Sequence, residues 1–256
     1  MNFPVKWIRN IYTLCSPFYI MDPAQRWRSY SVHTNHRIGI NHEYRFVFVR
    51  IPKNASTVIS LSLHHNITGE KIDSASEAKK IAFKTPTSLG FGRAREVLAG
   101  YYKFCFVRNP FTRILSAYLQ KISRGQGGRK AKYKKMICKR LGVNTDNEIY
   151  FTDFIRYLEQ GGLMDDPHWI PQSCYIDMIG FNQLDFAGKV ENLVPDLKNL
   201  YERIFGADNF ILPDFKKKVT GAKDLLQEYY RPEERQAIKR LYSQDFEIFE
   251  SIQYRP

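Results

Sequence analysis

Two short segments carry residues whose types and spacing suit the handling of phosphate-like groups. Residues 44–63 read YRFVFVRIPKNASTVISLSL, and residues 103–118 read KFCFVRNPFTRILSAY. In the first, an apolar β-type run ends in Arg50-Ile51-Pro52-Lys53-Asn54, and a small-residue helix start, Ala55-Ser56-Thr57, follows at once. A strand that feeds a helix N-terminus through a tight turn presents free backbone N–H groups and the positive end of the helix dipole. Lys53 adds a point charge, and Ser56 and Thr57 add hydroxyl donors, which together make a cradle for an anion. In the second segment Arg108 ends a strand, where open parallel sheets place ligands, and its guanidinium can grip a phosphate bidentately. Asn109 is a good N-cap, Pro110 a good first helical residue, and Ser116 adds a hydroxyl inside the helix. Two anion sites on one α/β sheet suggest a ligand with phosphates at two separated places. Read alone, the first segment is also an N-capped core helix beside a surface lysine. The second, read alone, is also an arginine paired with a carboxylate near a packing serine.

The first loop is not a G-x-x-x-x-G-K-[ST] sequence, because Pro52 stands where such a loop would want glycine. IPKNAST resembles instead the 5′-phosphosulfate loop of the sulfotransferases, and FVRNPFTRILSAY resembles their 3′-phosphate motif. The likeness is to the carbohydrate sulfotransferase branch, sulfotransferase family 2. It continues in Asp166-Pro167-His168-Trp169, in Gly188-Lys189-Val190-Glu191-Asn192-Leu193 and in the closing LYSQDFEIF of residues 241–249. The resemblance implies 3′-phosphoadenosine 5′-phosphosulfate (PAPS) as co-substrate, no metal, and a hydroxyl of a carbohydrate, polysaccharide or glycolipid, as acceptor. It further implies that Lys53, Asn54, Ala55, Ser56 and Thr57 hold the 5′-phosphosulfate end, and that Arg108 and Ser116 hold the 3′-phosphate. Arg113, on the same helix as Ser116, is a weaker candidate that can point to solvent.

Sulfuryl transfer has the logic of phosphoryl transfer, in which positioning and electrostatics dominate. Lys53 is placed to stabilise the departing phosphate, and the acceptor hydroxyl needs a general base. Of the six histidines, His168 is the best candidate, with Asp165 or Asp166 to orient its imidazole and Trp169 beside it as a sugar platform. The other reading is a structural histidine next to a packing tryptophan. His64 competes, since it shares a polar helical stripe with Ser56. Eight residues of helix nevertheless carry it ~12 Å farther along the axis. Glu191 belongs either to the acceptor cleft or to the first turn of a helix, where its charge favours the dipole. Lys216, Lys217, Lys218 and Thr220 form a basic loop that either closes over the nucleotide or is simply solvated.

The elements that must position these groups alternate between strand and helix. Strands are expected over 44–51, 103–108, 178–181, 186–190 and 210–212, and helices over 55–65, 150–160, 191–205 and 233–249, with another after Asn109. That order predicts an α/β fold, a P-loop-like three-layer sandwich whose mainly parallel central sheet is flanked by helices. Residues 1–43 read as an N-terminal extension and 44–256 as the sulfotransferase domain.

Composition sets the class of partner. The 256 residues carry a formal charge of +13, which favours anionic partners: nucleotide, acidic glycan or anionic lipid. Residues 124–140 concentrate the basic charge. Tyr133, Met136, Ile137 and Leu141 recur there at helical spacing, as in a docked basic helix bordering the acceptor cleft. The four cysteines lack C-x-x-C spacing, so zinc is not expected, and Cys105 sits in an apolar strand as a core residue. Phe3, Trp7, Ile8, Ile11 and Tyr12 can share a helix face flanked by Lys6 and Arg9, a pattern for peripheral membrane contact or for packing on the domain. With no spanning apolar run and no signal-peptide pattern, a cytoplasmic location is expected, with packing of that face on the domain favoured over peripheral contact at the inner face of a membrane. Two other classes compete. A P-loop-type kinase would need a glycine-rich loop and a metal-binding carboxylate. A basic nucleic-acid-binding protein would need a recognition motif, and none is evident, so nucleic acid is not an expected partner.

Overall fold

The computed structural model describes residues 15–21, 35–125, 127–207, 209–212 and 221–252. Its main elements, in chain order, are β1 (Ile38–Asn41), β2 (Phe46–Val49), α1 (Ser56–Thr68), α2 (Ala75–Ala82), α3 (Phe91–Gly100), β3 (Tyr102–Val107) and α4 (Pro110–Tyr118). There follow α5 (Gly127–Leu141), α6 (Phe151–Glu159), β4 (Phe186–Lys189), α7 (Leu193–Phe205), α8 (Pro232–Leu241) and α9 (Ser243–Ser251). They form two compact units, one of Met1–Val107 with Gln172–Asp214, the other of Arg108–Pro171 with Phe215–Pro256.

The first unit holds the sheet, in the order β1-β2-β3-β4. β1 pairs antiparallel with β2, Ile38 opposite Val49. β2 runs parallel to β3, Phe46 opposite Tyr102, and β3 parallel to β4, Val107 opposite Lys189. The mainly parallel α/β class is the one the alternation predicted. The strands read as continuous apolar runs because both faces are covered, and β1 and β2 are buried at every position. Phe48 stacks on Phe104 at 4.8 Å between ring centroids. Burying each such side chain contributes about 1.5–3 kcal/mol. Gly188 is required on β4, since a Cβ there would lie 2.4 Å from the Phe106 ring. Cys105 is fully buried, as expected of a core residue, and burial pushes its thiol up to about 12.

The structure departs from the sequence expectations in four places. β1 lies within the segment read as an extension. Residues 210–212 form no strand, because the Asn66 side chain of α1 takes both backbone groups of Ile211, at 2.6 and 2.9 Å. Residues 178–181 form no strand either, since Met178 and Ile179 donate to Tyr175 and Ile176 in turns. The single helix expected over 233–249 is two helices, broken at Tyr242, whose hydroxyl donates to the Trp169 carbonyl at 2.6 Å.

The second unit packs α4, α5, α6 and α8 around a core that includes Leu115, Ile137, Phe154, Trp169 and Ile238. Helix α5 buries Tyr133, Ile137 and Cys138 and turns Lys130, Lys132 and Lys135 outward, as its spacing predicted. Among the described residues no helix is long and apolar enough to cross a membrane. The amphipathic face at Phe3, Trp7, Ile8, Ile11 and Tyr12, and the basic loop at Lys216, Lys217, Lys218 and Thr220, lie outside the described residues.

Candidate functional site

The loop from β2 to α1 has an unusual backbone. Lys53 and Ala55 adopt φ of 72° and 54°, in the left-handed region where a Cβ is disfavoured. A non-glycine residue there costs roughly 1–2 kcal/mol, and such outliers cluster at ligand clamps. Ala55 is also the N-cap of α1 and makes no side-chain cap. The first-turn amides of α1 therefore have no intrahelical acceptor and no capping side chain. Left-handed turn residues fold successive N–H groups into an anion-binding concavity. Asn54 pins the loop. Its Nδ2 donates to the Phe106 carbonyl on β3 at 2.7 Å and to Gln172 Oε1 at 2.5 Å. At 1 % exposure it is a positioning residue rather than a surface contact. Lys53 and Thr57 are half-buried and Ser56 is buried.

Arg108 follows Val107 of β3 directly in the chain. Its Nε donates to Thr112 Oγ1 at 3.0 Å, and that hydroxyl donates to the Asn109 carbonyl at 3.0 Å. Nε, not a terminal nitrogen, makes this bond, so Thr112 fixes the plane of the guanidinium. Sequence reasoning did not assign Thr112 this part; the available signal was its four-residue spacing from Arg108. Asn109 caps α4 as expected, accepting from Phe111 N at 3.0 Å. Ser116 is buried in the second unit. Arg113 does not point to solvent: it is fully buried, and its Nη2 donates to the Ile170 carbonyl at 2.8 Å.

His168 and Asp166 form a coupled pair in the second unit. His168 Nδ1 lies 2.5 Å from Asp166 Oδ1, and the same oxygen accepts the His168 backbone N–H at 2.9 Å. Tyr133 of α5 donates to the other oxygen at 3.1 Å. Burial raises the Asp166 carboxyl, but its bonds and charge contact with His168, and the Tyr133 hydroxyl, outweigh that and hold it below the usual range. Asp165 is engaged elsewhere, with Arg140 at 2.9 Å and the Tyr157 hydroxyl at 2.6 Å. The orienting carboxylate is thus Asp166. A carboxylate on one imidazole nitrogen fixes the tautomer and aims the other nitrogen.

Trp169 corrects an expectation. It is fully buried, donates from Nε1 to the Gly162 carbonyl at 3.0 Å, and packs edge-on to Phe154 at 5.3 Å. Its ring is part of the core and presents no platform for a sugar. His64 is also fully buried, with Nδ1 3.2 Å from the Glu70 carbonyl, so no acceptor hydroxyl reaches it. Glu191 is exposed on the short turn Val190–Asn192 that follows β4. The dipole-stabilising role at the start of α7 falls to Asp196, which accepts from Lys189 N at 2.6 Å and Asn192 Nδ2 at 2.8 Å. The first unit therefore carries the Lys53–Thr57 loop and Glu191 at the carboxyl ends of β2 and β4. The second unit holds Arg108, Ser116 and His168. Among the described residues no group of three or more His, Cys, Asp or Glu could hold a metal ion.

Comparison with known proteins gives the family. The family model described as "Sulfotransferase family" matches residues 36–254, taking in β1. The chain is 30% identical over 239 residues to carbohydrate sulfotransferase 14 of Danio rerio, covering 83% of this chain and 61% of that protein. It is 24% identical over 249 residues to carbohydrate sulfotransferase 9 of Homo sapiens, covering 87% and 54%. It is 25% identical over 241 residues to carbohydrate sulfotransferase 11 of Rattus norvegicus, covering 82% and 65%. The chain thus spans between half and two thirds of the length of these relatives. No solved structure matches it significantly. With the family model matched over residues 36–254, the chain belongs to the sulfotransferase family.

Proposed function

We propose that this chain transfers the sulfuryl group of PAPS to a hydroxyl of a carbohydrate. The family implies this co-substrate, and the relatives' names supply the acceptor class. The observation that carries the reading is the strained, uncapped loop Lys53–Thr57, a backbone built to receive an oxyanion. The acceptor oxygen attacks sulfur as the bond from sulfur to the 5′-phosphate oxygen breaks. His168, oriented by Asp166, takes the hydroxyl proton. Lys53 meets the charge that appears on the leaving phosphate, and Arg108, oriented by Thr112, holds the 3′-phosphate that does not react. Glu191, exposed after β4, is a residue for the acceptor. The exposed lysines of α5 favour an anionic or lipid-linked glycan through their field. The test is mass spectrometry of acidic and neutral glycans after incubation with PAPS. The expected result is a gain of one sulfate on a glycan. Nucleotide binding without sulfate gain on any glycan, together with gain on a non-carbohydrate hydroxyl, would overturn the acceptor class.

A further inference from the structure

The first unit holds a polar cavity at the other end of its sheet. It measures about 360 Å³, and Arg45, Tyr101, Tyr102, Lys103, Asp185 and Arg203 are among its lining residues. Arg45 immediately precedes β2, Tyr102 and Lys103 open β3, and Asp185 immediately precedes β4. The cavity therefore lies at the amino ends of the parallel strands. At ~3.3 Å per residue, β3 separates it by about 17 Å from the carboxyl ends, where open α/β sheets bind their substrates. That rule does not account for it.

Arg45 and Arg203 are exposed, each lying over an aromatic ring. Arg45 adopts φ of 52°, a left-handed outlier for a non-glycine residue, and its carbonyl accepts the Tyr102 N–H at 2.9 Å. Its guanidinium sits 4.9 Å over the Tyr101 ring. A Cβ on Gly100 would lie 3.3 Å from its Nη2, so the glycine leaves it room. Arg203 of α7 sits 5.6 Å over the Tyr102 ring. A guanidinium stacked on a ring uses its face and leaves its N–H edge for oxyanions; Glu96 takes Nη1 of Arg45 at 2.8 Å, leaving the rest of that edge. Lys103, only 6 % exposed, lies at the wall, its Nζ 3.0 Å from the Tyr101 carbonyl. Burial lowers its pKa, and the Asp185 charge pulls the other way without reversing the shift. Two carboxylates stand against these three cations: Asp185, which accepts Lys103 N at 2.7 Å, and Glu96, 2.8 Å from Arg45 Nη1. A positive surplus remains, and the volume is that of a small-molecule site, ~300–1,000 Å³, far larger than a bare tetrahedral anion.

We propose that this cavity binds a small monoester of phosphate or sulfate, with its charged oxygens on Arg45, Arg203 and Lys103 and its organic part against Tyr44, which also lines the cavity. The site is separate from the donor loop, and the proposal does not rest on the sulfuryl-transfer reading. The test is calorimetry with phenyl phosphate and with inorganic phosphate, on the wild type, the double variant Arg45→Gln/Arg203→Gln, and Lys53→Ala. Phenyl phosphate should bind the wild type and Lys53→Ala alike and the double variant at least about tenfold more weakly. The double variant should keep its melting temperature and its affinity for adenosine 3′,5′-bisphosphate. No heat with phenyl phosphate would overturn the proposal. So would loss of binding in Lys53→Ala but not in the double variant, which would move the ligand to the donor loop. Inorganic phosphate binding as tightly as phenyl phosphate would overturn the assignment to an ester.

Discussion

The Asp166 carboxylate lies 2.5 Å from Nδ1 of His168, two residues away, and accepts that residue's backbone N–H with the same oxygen. One oxygen thus fixes both the ring and the main chain of His168. His168→Ala should lower turnover by ~10²- to 10⁴-fold with donor affinity kept, and Asp166→Asn should lower it less. Asp166 also carries a stability signature. Its folded carboxyl is held below the ordinary 3.8, so its contribution is present above that pH and is lost as pH falls through the lower folded value. Asp166→Asn should be less stable than the wild type at neutral pH, and the two should converge in acid melts. Near-normal turnover in His168→Ala would show that another group takes the proton.

The left-handed loop gives a second expectation. Ala55→Gly removes the Cβ from a position with φ of 54°. It should stabilise the protein by about 1 kcal/mol, a rise of about 2–4 °C in melting temperature for a chain of this size. Ala55→Val should do the reverse, since branching worsens the clash. A fall in melting temperature for Ala55→Gly would contradict the strain.

Lys79 gives the third. Burial, then the charges of Arg50 and Arg37, lower its pKa to about 8 from 10.5. Between those values the unfolded chain binds more protons, so this group's penalty is full below pH 8 and fades as pH rises toward 10.5. Lys79→Met should melt on the order of 2 °C above the wild type at pH 7, with the gap closing above about pH 10. A gap independent of pH would assign the gain to packing.

The basic helix gives the fourth. Lys132 and Lys135 are exposed, whereas Lys130 and Lys134 donate to the carbonyls of Ser123 and Asp146 at 3.1 and 3.3 Å. The clean variant is therefore Lys132→Gln/Lys135→Gln. It should weaken use of a polymeric acidic acceptor several-fold, flatten the salt dependence of activity, and leave nucleotide binding intact. Unchanged acceptor kinetics at low ionic strength would make this a merely solvated face.

Much of this was legible in the sequence. Apolar β-runs with Pro52-Lys53 and Arg108-Asn109-Pro110 at their ends fix two strand-to-helix turns, because those residue types have strong local preferences. Local pattern does not report what tertiary packing decides. Lys53 and Ala55 carry no glycine to announce left-handed φ. Trp169 and Arg113 sit at positions of ordinary appearance, yet the fold buries both and bonds Trp169 Nε1 to the Gly162 carbonyl and Arg113 Nη2 to the Ile170 carbonyl. β1 was hidden in the leading segment because four residues with a glycine, Ile38–Asn41, make a weak strand signal. Residues 210–212 have strand-like composition but lose their pairing to the Asn66 side chain.

Calorimetry with adenosine 3′,5′-bisphosphate is the decisive measurement for the proposal that the chain holds a nucleotide carrying phosphates at both ends of its ribose. Binding should saturate in the wild type and be at least about tenfold weaker in Arg108→Ala, which loses a charge-assisted contact to a non-reacting phosphate. No heat at millimolar nucleotide, or unchanged affinity in Arg108→Ala, would contradict it.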